Sequence, residues 1–154
     1  MKERWLPVAG LALALFVVNA VARLVVWQTA SDEWQDQIRI GLLSAGVTAV
    51  LCLVAGIWWG YRMPVPRLVV EIGAAILAAC LLVVLIGPFA GGSRPFAEGA
   101  SLFFRQIFYY IGISAFGTLI GVLLVTTFGQ DWRSRAYRRH ELALRSKSAR
   151  AARH

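Results

Sequence analysis

A chain of 154 residues that is 58% hydrophobic and only 16% charged, with a mean hydropathy of +0.64, is too apolar for a water-soluble domain of its size. Its formal charge of +8 comes from 14 arginines and 2 lysines set against 8 acids. His140 and His154, the only histidines, lie in a basic C-terminal segment, and there is no Cys-x-x-Cys, Gly-x-Ser-x-Gly or Gly-x-x-x-x-Gly-Lys sequence; intramembrane haem ligation, a His-rich metal site, a serine-hydrolase elbow and a phosphate-gripping loop are disfavoured together.

The pattern predicts an all-α integral membrane protein with four transmembrane helices, over about 6–27, 40–61, 68–87 and 103–128. Each run has the ~20 apolar residues needed to cross a hydrocarbon core of about 30 Å. These spans form one domain, 1–129, followed by a basic tail, 130–154.

Span 1 follows Lys2 and Arg4. Its charged start, apolar stretch and Ala20-Val21-Ala22 imitate a cleavable signal, but we expect the segment to be retained as a helix. Asn19 and Arg23 stand one turn apart near its far end. Arg23 is expected to extend its guanidinium to the headgroups while its methylenes stay in the apolar layer, or to reach Glu98 or the acidic first loop. That loop, Gln28 to Arg39, contains Thr29-Ala30-Ser31-Asp32, a capping-box-like sequence. It predicts a short interfacial helical turn with Trp34 and Ile38 on one side.

Span 2 carries a ridge of small residues at i+4, namely Ser44, Thr48, Cys52, Gly56 and Gly60. Helices gain little inside a bilayer by hiding apolar surface, so such ridges mark close backbone approach without naming the neighbour. Span 2 should end in the stiff connection Arg62-Met63-Pro64-Val65-Pro66-Arg67, where two prolines fix backbone angles. Span 3 then presents Glu71 about one turn inside, on a face that continues through Ala74, Ala75 and Ala78. An ionisable residue within a span is a functional candidate by default. Arg67, however, precedes Glu71 by four residues and predicts an ion pair, and a carboxylate near a helix start also meets a favourable dipole.

The next connection repeats a phrase, Pro88-Phe89-Ala90 and Pro95-Phe96-Ala97. Phe89, Phe96 and Phe103 recur every seven residues, which suits rings resting at the lipid boundary. Arg94 and Glu98 have the spacing of a helical ion pair. The expected role is a cap over the ends of spans 3 and 4, with Phe89, Arg94, Phe96 and Glu98 as possible partner contacts. Span 4 begins with Arg105 and Gln106 and contains Ser114, Thr118 and the pair Gly117 and Gly121. Spans 2, 3 and 4 are the expected packed centre. Cys52 and Cys80, deep in their spans, read as small apolar side chains and not as a disulfide pair.

Past Gly129 a helical projection sets Trp132, Ala136, Tyr137, His140, Ala143 and Leu144 on one arc and Arg135, Arg138, Arg139 and Arg145 on the other, while Arg133 and Leu142 break the pattern. Arg133, Arg135, Arg138 and Arg139 are expected to contact anionic lipid, each contributing ~1 kcal/mol near the surface, or an acidic partner. A bare basic run does not define a nucleic-acid fold, so nucleic acid is not an expected partner.

Charge placement predicts topology. Twelve bases and four acids belong to the side holding both termini and the Arg62–Arg67 connection, while four of each belong to the opposite side. The basic side should be cytoplasmic, giving N-in and C-in. Trp5, Trp27, Trp34, Trp58, Trp59 and Trp132 all fall near span ends, as boundary-seeking indoles do. The arginine and alanine richness suits a bacterial plasma membrane protein. No cofactor and no catalysis by the chain alone are expected. The expected function is an accessory, stabilising or assembly subunit joined to other integral membrane subunits in respiratory or transport machinery. The rival is a small homo-oligomeric proton- or cation-coupled transporter or channel using Glu71; the sequence names no small-molecule substrate.

Overall fold

The computed structural model describes residues 2–29, 34–90, 99–130 and 132–151, and every regular element among them is helical. These are α1 (Lys2–Thr29), α2 (Trp34–Arg62), α3 (Val65–Leu85), the single turn α4 (Gly87–Ala90), α5 (Ala100–Thr127) and α6 (Trp132–Ala151). The segments Trp5–Thr29, Gln35–Arg62, Val65–Leu85 and Ala100–Thr127 are long and apolar enough to cross a membrane, with mean hydropathies of 2.0 to 2.8. The fold is that of a multi-pass helical membrane protein.

Helices α1 and α2 extend beyond their apolar runs at both ends, whereas α3 and α5 begin earlier than expected and end at Leu85 and Thr127, just short of the expected 87 and 128. Trp34 to Arg39 do not form a separate interfacial turn; they are the opening of α2 itself, where Asp36 and Arg39 pair across 3.7 Å. Thr29 does not cap the next helix either. Its hydroxyl donates back to the Val25 carbonyl at 2.5 Å, within α1, and Asp32 lies outside the described residues.

Two helix pairs build the bundle. The more extensive contact joins α2 to α5, and the next joins α1 to α3. On α2, Ser44, Thr48, Cys52, Gly56 and Gly60 are all buried. The residue order of the α2–α5 contacts, Ala49 with Gly117, Leu53 with Gly121 and Gly60 with Val125, makes the two helices parallel. A methyl group on Gly56 would sit 2.6 Å from the Thr118 carbonyl oxygen. On Gly117 or Gly121 it would collide with the carbonyl oxygen of Ala49 or Leu53.

The expected centre of spans 2, 3 and 4 understates span 1. Val8, Ala12 and Leu15 of α1 are buried, Leu15 completely, and they join the same core as α3. Helix α3 is the most enclosed of the four. Leu68, Ile72, Ala75, Ile76, Ala79, Cys80, Val83 and Val84 give it a broad inward stripe, since residues three and four apart share a helix face.

Short connections hold these pairs in place. Pro64 caps α3 in an extended conformation, and its carbonyl accepts from the amides of Arg67 and Leu68, each at 3.1 Å. At the end of α5, Gly129 adopts φ +60°, Gln130 N–H reaches the Val125 carbonyl at 3.1 Å and Gly129 N–H reaches that of Thr126 at 3.0 Å. This Schellman arrangement favours glycine in the left-handed position and satisfies carbonyls left open at the helix end. It sends the chain back as α6.

Candidate functional site

The first polar constellation sits where α2 meets α3. Glu71 is 4% exposed, and the Trp59 indole N–H and the Arg67 Nε each donate to one of its carboxylate oxygens, both at 2.9 Å. Arg67 and Glu71 are aligned by helical periodicity, four residues apart on α3. Trp59 reaches them because it stands one turn before the short Met63-Pro64 connection, across which α3 begins beside the end of α2. The Arg67 side chain remains 43% exposed, so the pair joins a buried acid to a partly exposed cation. Beside it the guanidinium carbon of Arg62 lies 4.1 Å from the Trp58 ring centre, and the Trp58 and Trp59 rings meet edge to face at 4.6 Å. The aromatic–cation contact is favourable because the ring face is negative. The Arg67–Glu71 pair follows from spacing; the Trp59 bond requires the Pro64 turn and the rotation of α2.

A second constellation opens between α1, α2 and α5, at the end of the bundle opposite Arg67. It is a cleft of about 530 Å³. From α1 it is lined by Asn19, Ala22, Arg23, Val26 and Trp27, from α2 by Gln37, Ile40, Gly41, Ser44, Ala45 and Thr48, and from α5 by Gln106, Tyr109, Tyr110 and Ile113. Arg23 Nε donates to Asn19 Oδ1 at 3.2 Å, within one helical turn. The same guanidinium lies against Gly87, where an added methyl would meet Nε at 3.2 Å. Arg23 therefore stands at the seam of α1, the α3–α4 junction and the cleft. The proposed contact to Glu98 lies outside the described residues.

Ser44 and Thr48 serve two surfaces, the buried α2–α5 seam and the wall of this cleft. Their helical spacing identifies the seam. It cannot reveal the cleft, because Gln106, Tyr109 and Tyr110 arrive from a helix more than fifty residues away. Tyr110 is 6% exposed, and its hydroxyl is buried without a hydrogen-bond partner. Thr118, one turn beyond Ser114, donates its hydroxyl to the Ser114 carbonyl at 2.9 Å. Cys52 and Cys80 are buried free thiols.

Of the repeated phrase, Phe89 projects from α4 and is 63% exposed; Arg94, Phe96 and Glu98 lie outside the described residues. Helix α6 meets the bundle with a different face from the one its amphipathic projection indicates. Arg135, assigned to the polar arc, lies with its guanidinium carbon 5.0 Å from the Tyr61 ring centre, while Tyr137 from the apolar arc is 76% exposed. A cation over an aromatic face competes with apolar burial in setting the orientation of a short docked helix. Arg133 borders the small recess lined by Gly60, Met63 and Val125; Arg138 approaches Gly129, and Arg139 Nε donates to the Arg135 carbonyl at 3.4 Å.

Among the described residues no group of three His, Cys, Asp or Glu side chains is arranged to hold a metal ion. The chain matches no protein-family model, no curated protein and no solved structure, so its functional reading rests on this geometry.

Proposed function

We propose that this chain is an accessory, stabilising or assembly subunit of a larger complex in the bacterial inner membrane, with both termini and α6 on the cytoplasmic side. The observation that carries the proposal is the outward face of α5. Phe108, Gly112 and Phe116 follow one another at i+4; the two rings are 75% and 64% exposed, and nothing lies within 4 Å of a methyl placed on Gly112. A glycine in a helix interior costs about 1 kcal/mol relative to alanine and gives a lipid-facing surface nothing in return. Between two large rings it forms a notch into which a partner helix can pack closely. The polar side chains Glu71, Trp59, Asn19 and Arg23 engage one another within the bundle, which also suits a supporting subunit.

Protein solubilised in mild detergent should retain a larger membrane partner in native mass spectrometry. Gly112→Leu should reduce that retention about fivefold or more, because overpacking a close helix contact costs about 1–3 kcal/mol. The variant's own melting temperature should not fall. A lone monomer after gentle extraction and cross-linking, or full partner retention by Gly112→Leu, would count against the proposal.

The rival reading, a proton- or cation-coupled carrier using Glu71, has less support. Both carboxylate oxygens receive donors, and Arg67 occupies the place a transported cation would take. Reconstituted Glu71→Gln protein should show the same solute flux as the wild type. Loss of a wild-type flux in that variant, with assembly intact, would favour the carrier.

A further inference from the structure

We infer that the cleft between α1, α2 and α5 is a binding site for one anionic phospholipid of the leaflet at the Gln37–Gln106 end of the bundle. Its dimensions carry the first part of the inference. From Gln37 to Thr48 the α2 wall spans eleven helical steps, about 16 Å at 1.5 Å per residue. That is close to half of a ~30 Å hydrocarbon core, the depth of a single leaflet. The volume of about 530 Å³ is within the range of small-molecule sites and takes the glycerophosphate region and the first part of the acyl chains.

The wall chemistry carries the second part. Among the described residues, one arginine and no acid line the cleft, so the formal charge of that described lining is +1. Arg23 is oriented by Asn19 and seated against Gly87, so its ordering precedes ligand binding. Gln37 and Gln106 add amide donors near the mouth, and Trp27 adds a boundary-seeking indole. A phosphate diester is the lipid group that accepts several such bonds at once, and a guanidinium matches its oxygens in pairs. Ala22, Ile40, Ala45 and Ile113 offer apolar surface to the chains. The basic helix α6 lies at the other end of the bundle, beyond α5, so this site and the tail address opposite leaflets.

Binding is tested by native mass spectrometry of the full-length protein after titration with dioleoylphosphatidylglycerol, dioleoylphosphatidylcholine or a long-chain quinone. To separate the cleft from the tail, the titrations are repeated in a background with Arg133, Arg135, Arg138 and Arg139 replaced by glutamine. One phosphatidylglycerol should remain bound at collision energies that strip the others, with phosphatidylcholine held at least about tenfold more weakly. Arg23→Gln should weaken this lipid about tenfold, the effect of losing a charge-assisted bond. Because Arg23 also packs on Gly87, Gly41→Leu supplies a second variant. Gly41 lines the cleft with nothing within 4 Å of an added methyl, so leucine fills the cleft without entering the core. It should abolish the tightly held adduct at an unchanged melting temperature. Wild-type phosphatidylglycerol retention by Gly41→Leu, equal retention of phosphatidylcholine, or selective retention of the quinone would each overturn the inference.

Discussion

Gly117→Ala combined with Gly121→Ala should lower the stability of the bundle by about 2–6 kcal/mol, two overpacking costs of about 1–3 kcal/mol each. Each added methyl would fall against a carbonyl oxygen of α2, Ala49 in one case and Leu53 in the other. A side chain escapes a clash by changing rotamer, but a helix carbonyl is held by its own hydrogen bond, so the two helices must separate. Their separation would also open the seam containing Cys52, Ser114 and Thr48, all buried at this contact. Gly46→Ala is the matched control, since nothing lies within 4 Å of its added methyl. That change should be neutral or stabilising by up to about 1 kcal/mol, through helix propensity. Equilibrium unfolding in mixed micelles distinguishes them; equal stabilities for the double variant and the control would mean that α2 and α5 do not approach this closely.

Glu71→Ala is expected to cost about 2–4 kcal/mol. It leaves the buried Trp59 N–H without its acceptor, a penalty of about 1–3 kcal/mol, and removes the charge-assisted bond from Arg67. The Arg67 contribution is the smaller because that side chain remains 43% exposed and its charge is screened at the boundary. Glu71→Gln should cost less, about 1 kcal/mol, because an amide oxygen still accepts from the indole. Trp59→Phe removes the donor and lets the two contributions be separated. In a double-mutant cycle with Glu71→Ala, the Trp59–Glu71 coupling should reach about 1–2 kcal/mol. A coupling near zero would show that the α2–α3 junction is held by apolar packing alone. The cycle also bears on function, since a carboxylate that holds two helices together is poorly placed to release and rebind a transported ion.

These two sites differ in how far they were legible beforehand. The Gly117 and Gly121 pair announces itself by spacing, and so does the Ser44 to Gly60 ridge, because i+4 periodicity selects one face of a helix. Neither identifies the other as its partner. A flat helix face accepts any other flat face, and in a bilayer the lipid-facing and protein-facing surfaces are both apolar. The same limitation leaves span 1 outside the centre that the sequence predicts. Val8, Ala12 and Leu15 form an ordinary aliphatic face, indistinguishable in the sequence from Leu13, Val17 and Val21, which are exposed.

The adjacent tryptophans illustrate a second limitation. Trp58 and Trp59 both fall at a span end and both read as boundary residues. Trp58 is 37% exposed beneath Arg62, whereas Trp59 is 5% exposed and bonded to Glu71. One residue of helical rotation, about 100°, separates the two environments. The tail follows the same principle: its amphipathic projection favours the Tyr137 face, yet Arg135 meets Tyr61 because the Gly129 turn sets the direction in which α6 leaves the bundle.

Sequence by itself determined the four apolar helices, the small-residue faces they carry, the proline connection and the Arg67–Glu71 pair. Each follows from local periodicity, from hydropathy over one span length, or from a spacing of four residues. Tertiary structure alone decided that α2 pairs with α5 and α1 with α3, that Trp59 closes over Glu71, and that Arg23, Gln37 and Gln106 line one cleft. Those outcomes depend on helix rotation and on contacts between residues far apart in the chain, and an apolar solvent erases the polarity contrast by which a soluble protein reveals its inward faces.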